Sequence, residues 1–121
     1  MAEQAPLSRE RIESSITNSL NRQEVLTDQY RTDVDASAAA EADFKEWFAK
    51  ERLIARTAAH YEGVKMGDKM AEDIATVKTA EKRTKMLLTA ASESATRQAL
   101  MSVRERIEAL RTLNTNHREI S

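Results

Sequence analysis

Ten of the nineteen lysines and arginines fall between residues 45 and 85, and no other constellation in this 121-residue chain has types and spacing that suggest chemistry. Lys45, Lys50, Arg52 and Arg56 come first, Lys65 and Lys69 follow, and Lys78, Lys82, Arg83 and Lys85 close the set. Clustered cations neutralise phosphate backbones, and the neighbouring Trp47, Phe48 and Tyr61 have the flat faces on which single-stranded bases stack. The candidate nucleic-acid-binding residues are therefore Lys50, Arg52, Arg56, Lys65, Lys69, Lys78, Lys82 and Arg83. The competing reading is a solvated helix face. Glu46, Glu51 and Glu81 are interleaved where they would make ordinary intrahelical pairs, and Trp47 and Phe48 are of the type that packs helices together.

Catalytic chemistry finds little support. The chain has no cysteine, which removes disulfides, thiolate zinc sites and thiol nucleophiles together and fits a reducing cytosol. His60 and His117 are preceded three residues earlier by Thr57 and Asn114, so the Glu-x-x-His of carboxylate-bridged metal bundles is missing. Gly63 and Gly67 form a Gly-x-x-x-Gly with no following Lys-Ser or Lys-Thr, which excludes a phosphate-binding loop. The expectation is a protein that is not an enzyme, with no catalytic residue, no metal and no cofactor.

The formal net charge of −1 conceals an uneven distribution. Residues 1–44 carry four basic and nine acidic side chains, residues 45–85 ten and seven, and residues 86–121 five and four. An acidic arm beside a basic surface is the reading such asymmetry supports. No apolar run approaches the roughly 18–20 residues of a membrane span, and Met1-Ala2-Glu3-Gln4 lacks the basic and apolar regions of a signal peptide. A cytoplasmic protein with no membrane partner is expected.

The elements that must position the basic set follow from the breakers. The only glycines, Gly63 and Gly67, lie at the midpoint, and the sole proline is Pro6. Long uninterrupted helices on both sides of Val64-Lys65-Met66 are implied, giving an all-α chain folded as a long antiparallel helical hairpin with its bend near residues 63–69. Pro6-Leu7-Ser8 reads as a helix entry, with Ser8 as N-cap and Leu7 placed to staple onto Ile12. Ile12, Ile16 and Leu20 then make a short amphipathic helix. The poor helix formers from Ser14 to Ser19 are its weak point, so this arm, residues 1–22, is expected to be ordered only when docked, beside a hairpin of residues 23–121. The second arm begins either at Asp68, as an N-cap, or afresh at Thr79. A simple fold-back between Glu62 and Met70 sets the alanines of 36–40 opposite 90–95, and Phe44, Trp47 and Phe48 opposite Met86, Leu87 and Leu88 as the one bulky core cluster. Nineteen residues are alanine, each burying little area, so self-association is the expected remedy for a lean core. Leu100, Val103, Ile107 and Leu110, in the 3-4-3 spacing of a coiled-coil seam, are the candidate oligomer interface.

The order of these features resembles the recombination-mediator family of T-even phages, the UvsY-like proteins. The resemblance runs over most of the chain: a short amphipathic helix, an arm with Lys45-Glu46-Trp47 and Leu53-Ile54-Ala55-Arg56, a glycine-bearing turn, Ala75-Thr76-Val77-Lys78-Thr79-Ala80-Glu81-Lys82, and a final arm with Val103-Arg104-Glu105-Arg106. It implies an all-α, ring-like homo-oligomer, in the host cytoplasm where phage-encoded, that binds single-stranded DNA electrostatically and helps a recombinase displace a single-strand-binding protein. By this resemblance Arg56 matches a DNA-contacting basic residue and the final arm supplies oligomer contacts. The basic companion expected of Arg56 is Ile54 here, and Arg52, one turn before Arg56, stands in for it. The alternative is a coiled-coil structural or adaptor protein that binds other proteins and not nucleic acid.

Overall fold

A computed structural model describes residues 8–120, and among them the chain is all-helical with no strand: α1 is Arg9–Tyr61, α2 is Asp68–Lys78 and α3 is Ala80–Ile120. None of these helices is long and apolar enough to cross a membrane. α1 opens at Ser8, whose Oγ accepts a hydrogen bond from the Arg11 backbone N–H at 3.2 Å, the N-cap geometry expected of a serine one residue before the helix. The staple expected of Leu7 lies outside the described residues. The stretch from Ser14 to Ser19 does not interrupt α1, which runs straight through residues 22 and 23. The separate N-terminal helix of the sequence reading is thus the first part of one long helix. Ile12, Ser19 and Leu26, seven residues apart, are all buried, and tertiary packing of that face outweighs weak local propensity.

α1 ends where glycine permits. Gly63 has φ 72°, its N–H donates to the carbonyl of His60 at 3.1 Å, and the Val64 N–H donates to the carbonyl of Ala59 at 2.9 Å. These paired bonds are the Schellman closure of a helix C-terminus. Asp68 proves to be the first helical residue and Gly67 the N-cap, with no side-chain cap bond, so the carboxylate acts on the helix dipole instead of capping. Thr79 interrupts the helix without glycine or proline: its N–H and its Oγ1 both donate to the Ala75 carbonyl, at 3.0 and 2.6 Å. Both starts read from the sequence, at Asp68 and at Thr79, are therefore used.

The chain divides into two compact units, one made of the residues up to Arg31 with those from Ser94 onward, the other of Thr32–Glu93. In the first, Ile12, Leu26, Leu100, Ile107 and Leu110 are buried and Val103 is half-buried. The seam proposed for self-association is thus closed within the chain, with Ile107 only 4% exposed. The start of α1 covers it, and Leu20 and Gln23 share a depression with Arg104, Ile107 and Arg111.

The second unit inverts the usual order of sizes. Its buried side chains are Ala40, Ala55, Ala59, Ala71, Ala75 and Thr79, while Trp47, Leu87 and Leu88 are exposed. Phe44 and Phe48 touch each other, ring centroids 5.8 Å apart, but the bulky cluster expected with Met86–Leu88 does not close. The cause is register. Asp43 meets Lys82, Glu51 meets Lys78, Arg52 meets Glu72 and Arg56 meets Asp68, each several residues nearer the turn than a Glu62-to-Met70 fold-back implies. α1 ends one residue before Glu62 and α2 begins two before Met70, which accounts for part of this shift.

Two consequences can be measured by urea denaturation. Gly63→Ala should cost about 1–2 kcal/mol, because an L side chain resists the left-handed backbone, while Gly67→Ser, at φ −75° and with nothing within 4 Å of a Cβ, should match or slightly exceed wild type. Ile107→Ala should destabilise by about 2–4 kcal/mol if Ile107 is core, and by far less if the seam is open.

Candidate nucleic-acid interface

All eight candidate cations lie in the second unit, and the structure sorts them into two groups. Five are held by carboxylates. Lys50 Nζ is 2.9 Å from Glu46, one turn back on α1, and Lys82 Nζ is 2.7 Å from Asp43 across to α1. Lys78 reaches Glu51 at 3.7 Å, Arg52 reaches Glu72 at 3.8 Å, and Arg56 pairs with Asp68 through Nη2. Lys82, Lys78, Arg52 and Arg56 thereby bind α1 to α2 and α3, with acid and base contributed by either side. Lys65, Lys69 and Arg83 are exposed and, among the described residues, pair with no carboxylate.

The side-chain environments follow from this sorting. The hydrogen bond from Lys82 is the main reason the Asp43 carboxyl stays below its ordinary value; partial desolvation opposes it, and the charges of Lys82 and Lys85 and the Trp47 indole assist it. Lys45, 2.8 Å from Glu41, lowers that carboxyl in the same manner. Trp47 is flanked by two ammonium groups, Lys50 and Lys82, each 5.1 Å from its ring. A base stacking there would have to displace cations already held by Glu46 and Asp43. Phe48 is half-buried against Phe44, and only Tyr61, edge-on to His60, presents an open ring.

At the turn, Arg56, His60, Val64, Lys65, Met66 and Asp68 line one depression. Arg56 Nε has no hydrogen-bond partner among the described residues, so its guanidinium is engaged only in part. Such an arrangement offers an anion two cations, with Asp68 as the competitor. Sequence reasoning found the cations and the intrahelical pairs of Glu46, but missed that Asp43, Glu51, Asp68 and Glu72 reach between helices. The falling order of partner numbers along an antiparallel pair is the signal that could have found them.

No family model matches the sequence, and comparison with curated proteins and with solved structures returned no match either.

The Asp43–Lys82 link makes a pH prediction with a definite sign. A carboxyl whose pKa is lowered by folding contributes stability above its unfolded-state pKa and loses it as pH falls through the folded value. Trp47, the only tryptophan, sits beside the pair and reports on it. Its emission should titrate in acid with a midpoint below the ordinary aspartate value, and Asp43→Asn should abolish that transition.

Proposed function

We propose that this chain is a helical hairpin that works as a homo-oligomer and binds single-stranded DNA through the turn end of its second unit, as the recombination mediators it resembles do. Its role would be to help a recombinase displace a single-strand-binding protein, in the host cytoplasm where phage-encoded. The observation that carries this reading is the pair Lys65 and Lys69 at the turn, exposed and unpaired, with Arg83 likewise unpaired farther along α3, in a unit whose other candidate cations are all engaged by carboxylates. Unpaired cations are what a phosphate backbone recruits without first breaking an ion pair. Arg56, beside Lys65 at the turn, is the residue that exchanges Asp68 for phosphate, with Arg52 one helical turn away.

The footprint shrinks accordingly. Lys50, Lys78 and Lys82 act as structural cations, and each chain is left with about five for DNA. A few phosphate contacts per chain bind weakly and are strongly screened by salt, so repetition around an oligomer is what would make the surface effective. The second reading, an adaptor that binds proteins and no nucleic acid, draws on the exposed large apolar residues of the same unit, Met70, Val77, Leu87 and Leu88 among them.

Fluorescence anisotropy with a labelled single-stranded oligonucleotide at several salt concentrations separates the two. Binding should weaken steeply with salt, and replacing Lys65 and Lys69 together by Ala should flatten the slope by about 1.4, roughly 0.7 for each lost contact. Lys78→Ala should leave that slope unchanged and lower stability instead. Absence of binding at low salt would leave the adaptor reading in its place.

A further inference from the structure

All nine basic residues of the first unit are arginine, whereas the second unit has seven lysines and three arginines. A guanidinium offers phosphate a planar fork of N–H donors that an ammonium lacks. Two of the nine share one depression. Ser15, Asn18, Ser19 and Arg22, at i, i+3, i+4 and i+7 along one face of α1, line it together with Val103 and Arg106 of α3. No carboxylate lines it, in contrast to the depression at the turn, where Asp68 competes for any anion.

Its polar side chains are unengaged. Ser15, Asn18, Ser19, Arg22 and Arg106 make no side-chain hydrogen bond or ion pair among the described residues, although Arg9 and Arg31 of the same helix are held by Glu13 and Asp28. Ser19 decides what this means. It is only 8% exposed, yet its hydroxyl has no partner and its oxygen is not sealed from solvent. Thr17 and Thr27 on α1 turn their hydroxyls back to the carbonyls of Glu13 and Gln23, at 3.1 and 2.7 Å, and the buried Thr79 donates to Ala75 at 2.6 Å. Leaving a buried donor unmade costs stability, so an open hydroxyl at Ser19, between two unpaired arginines, marks a place that a ligand completes.

We propose that this depression binds a phosphate group. Arg22 and Arg106 supply charge from the two helices, the Ser19 hydroxyl donates from its buried position, and Ser15 and Asn18 donate at the rim. The chemistry is the same whether the phosphate is a diester of a nucleic-acid backbone or free in solution. The site lies in the first unit and does not depend on DNA binding at the turn of the second.

The test uses two-dimensional NMR of the full chain at constant ionic strength. One probe is inorganic phosphate, and the other is a single-stranded oligonucleotide without a terminal phosphate. Amides of residues 15–22 and 103–106 should shift with inorganic phosphate, and Ser19→Ala should weaken that binding about tenfold, the worth of one hydrogen bond to a charged group. Arg22→Lys with Arg106→Lys keeps the charge but loses the fork, so it should weaken binding too. Arg97→Gln, which removes an exposed arginine of the same unit that does not line the depression, should not. Circular dichroism should show the same helix content in every variant. The same amides shifting with the oligonucleotide would assign the phosphate to a nucleic-acid backbone, a response to inorganic phosphate alone would assign it to free phosphate, and either supports the site. Silence of these amides toward both probes, or wild-type affinity in Ser19→Ala and in Arg22→Lys with Arg106→Lys, would overturn it. If both probes are silent here while the oligonucleotide shifts the amides around Lys65 and Lys69, this site alone is overturned; the reverse pattern overturns only the turn.

Discussion

The left-handed backbone at Gly63 is the constraint from which the second unit is built. It stops α1 at Tyr61 by letting the amides of Gly63 and Val64 reach back to His60 and Ala59. That stop sets which residues of α2 and α3 face α1, and hence which acids meet which bases. In the register that follows, Asp43 finds Lys82, Glu51 finds Lys78 and Arg52 finds Glu72. The same register puts Ala55 and Ala59 on the buried side with Ala71 and Ala75. Small side chains there allow the backbones to come close, and the ion pairs around them keep the helices from sliding.

Those ion pairs decide how much positive charge is left for anything else. Exposed pairs contribute little stability one at a time, yet each occupies a cation that a count of lysines and arginines would assign to a ligand. A segment with ten basic residues thus offers a phosphate backbone far fewer than ten. Of the three free ones, Lys65 and Lys69 sit on or next to the connection between α1 and α2, and Arg83 lies near the start of α3.

Much of the fold was legible in the sequence. Two central glycines, one early proline and long stretches of helix formers were enough for an all-α chain, and Ser8 announced the start of α1. What escaped was of one kind. The stretch from Ser14 to Ser19 reads as a weak helix because propensity is local, whereas the burial of Ile12, Ser19 and Leu26 is set by distant residues. Leu100, Val103, Ile107 and Leu110 read as an open seam because periodicity shows that a face is apolar but not what covers it. Basic residues 52, 56, 78 and 82 read as available because their acids lie elsewhere in the chain. Thr79, with no breaker beside it, gives no propensity signal strong enough to choose it over Asp68.

The alanine interior of the second unit has an evolutionary corollary. Positions 55, 59, 71 and 75 are constrained by volume, since any larger side chain would pry the helices apart, and glycine would loosen them. The outer positions carry no such restriction from the unit itself. Drift should therefore be slow at residues that look interchangeable and fast at the leucines, methionines and valines that look like core, a substitution pattern opposite to that of a globular domain of the same size.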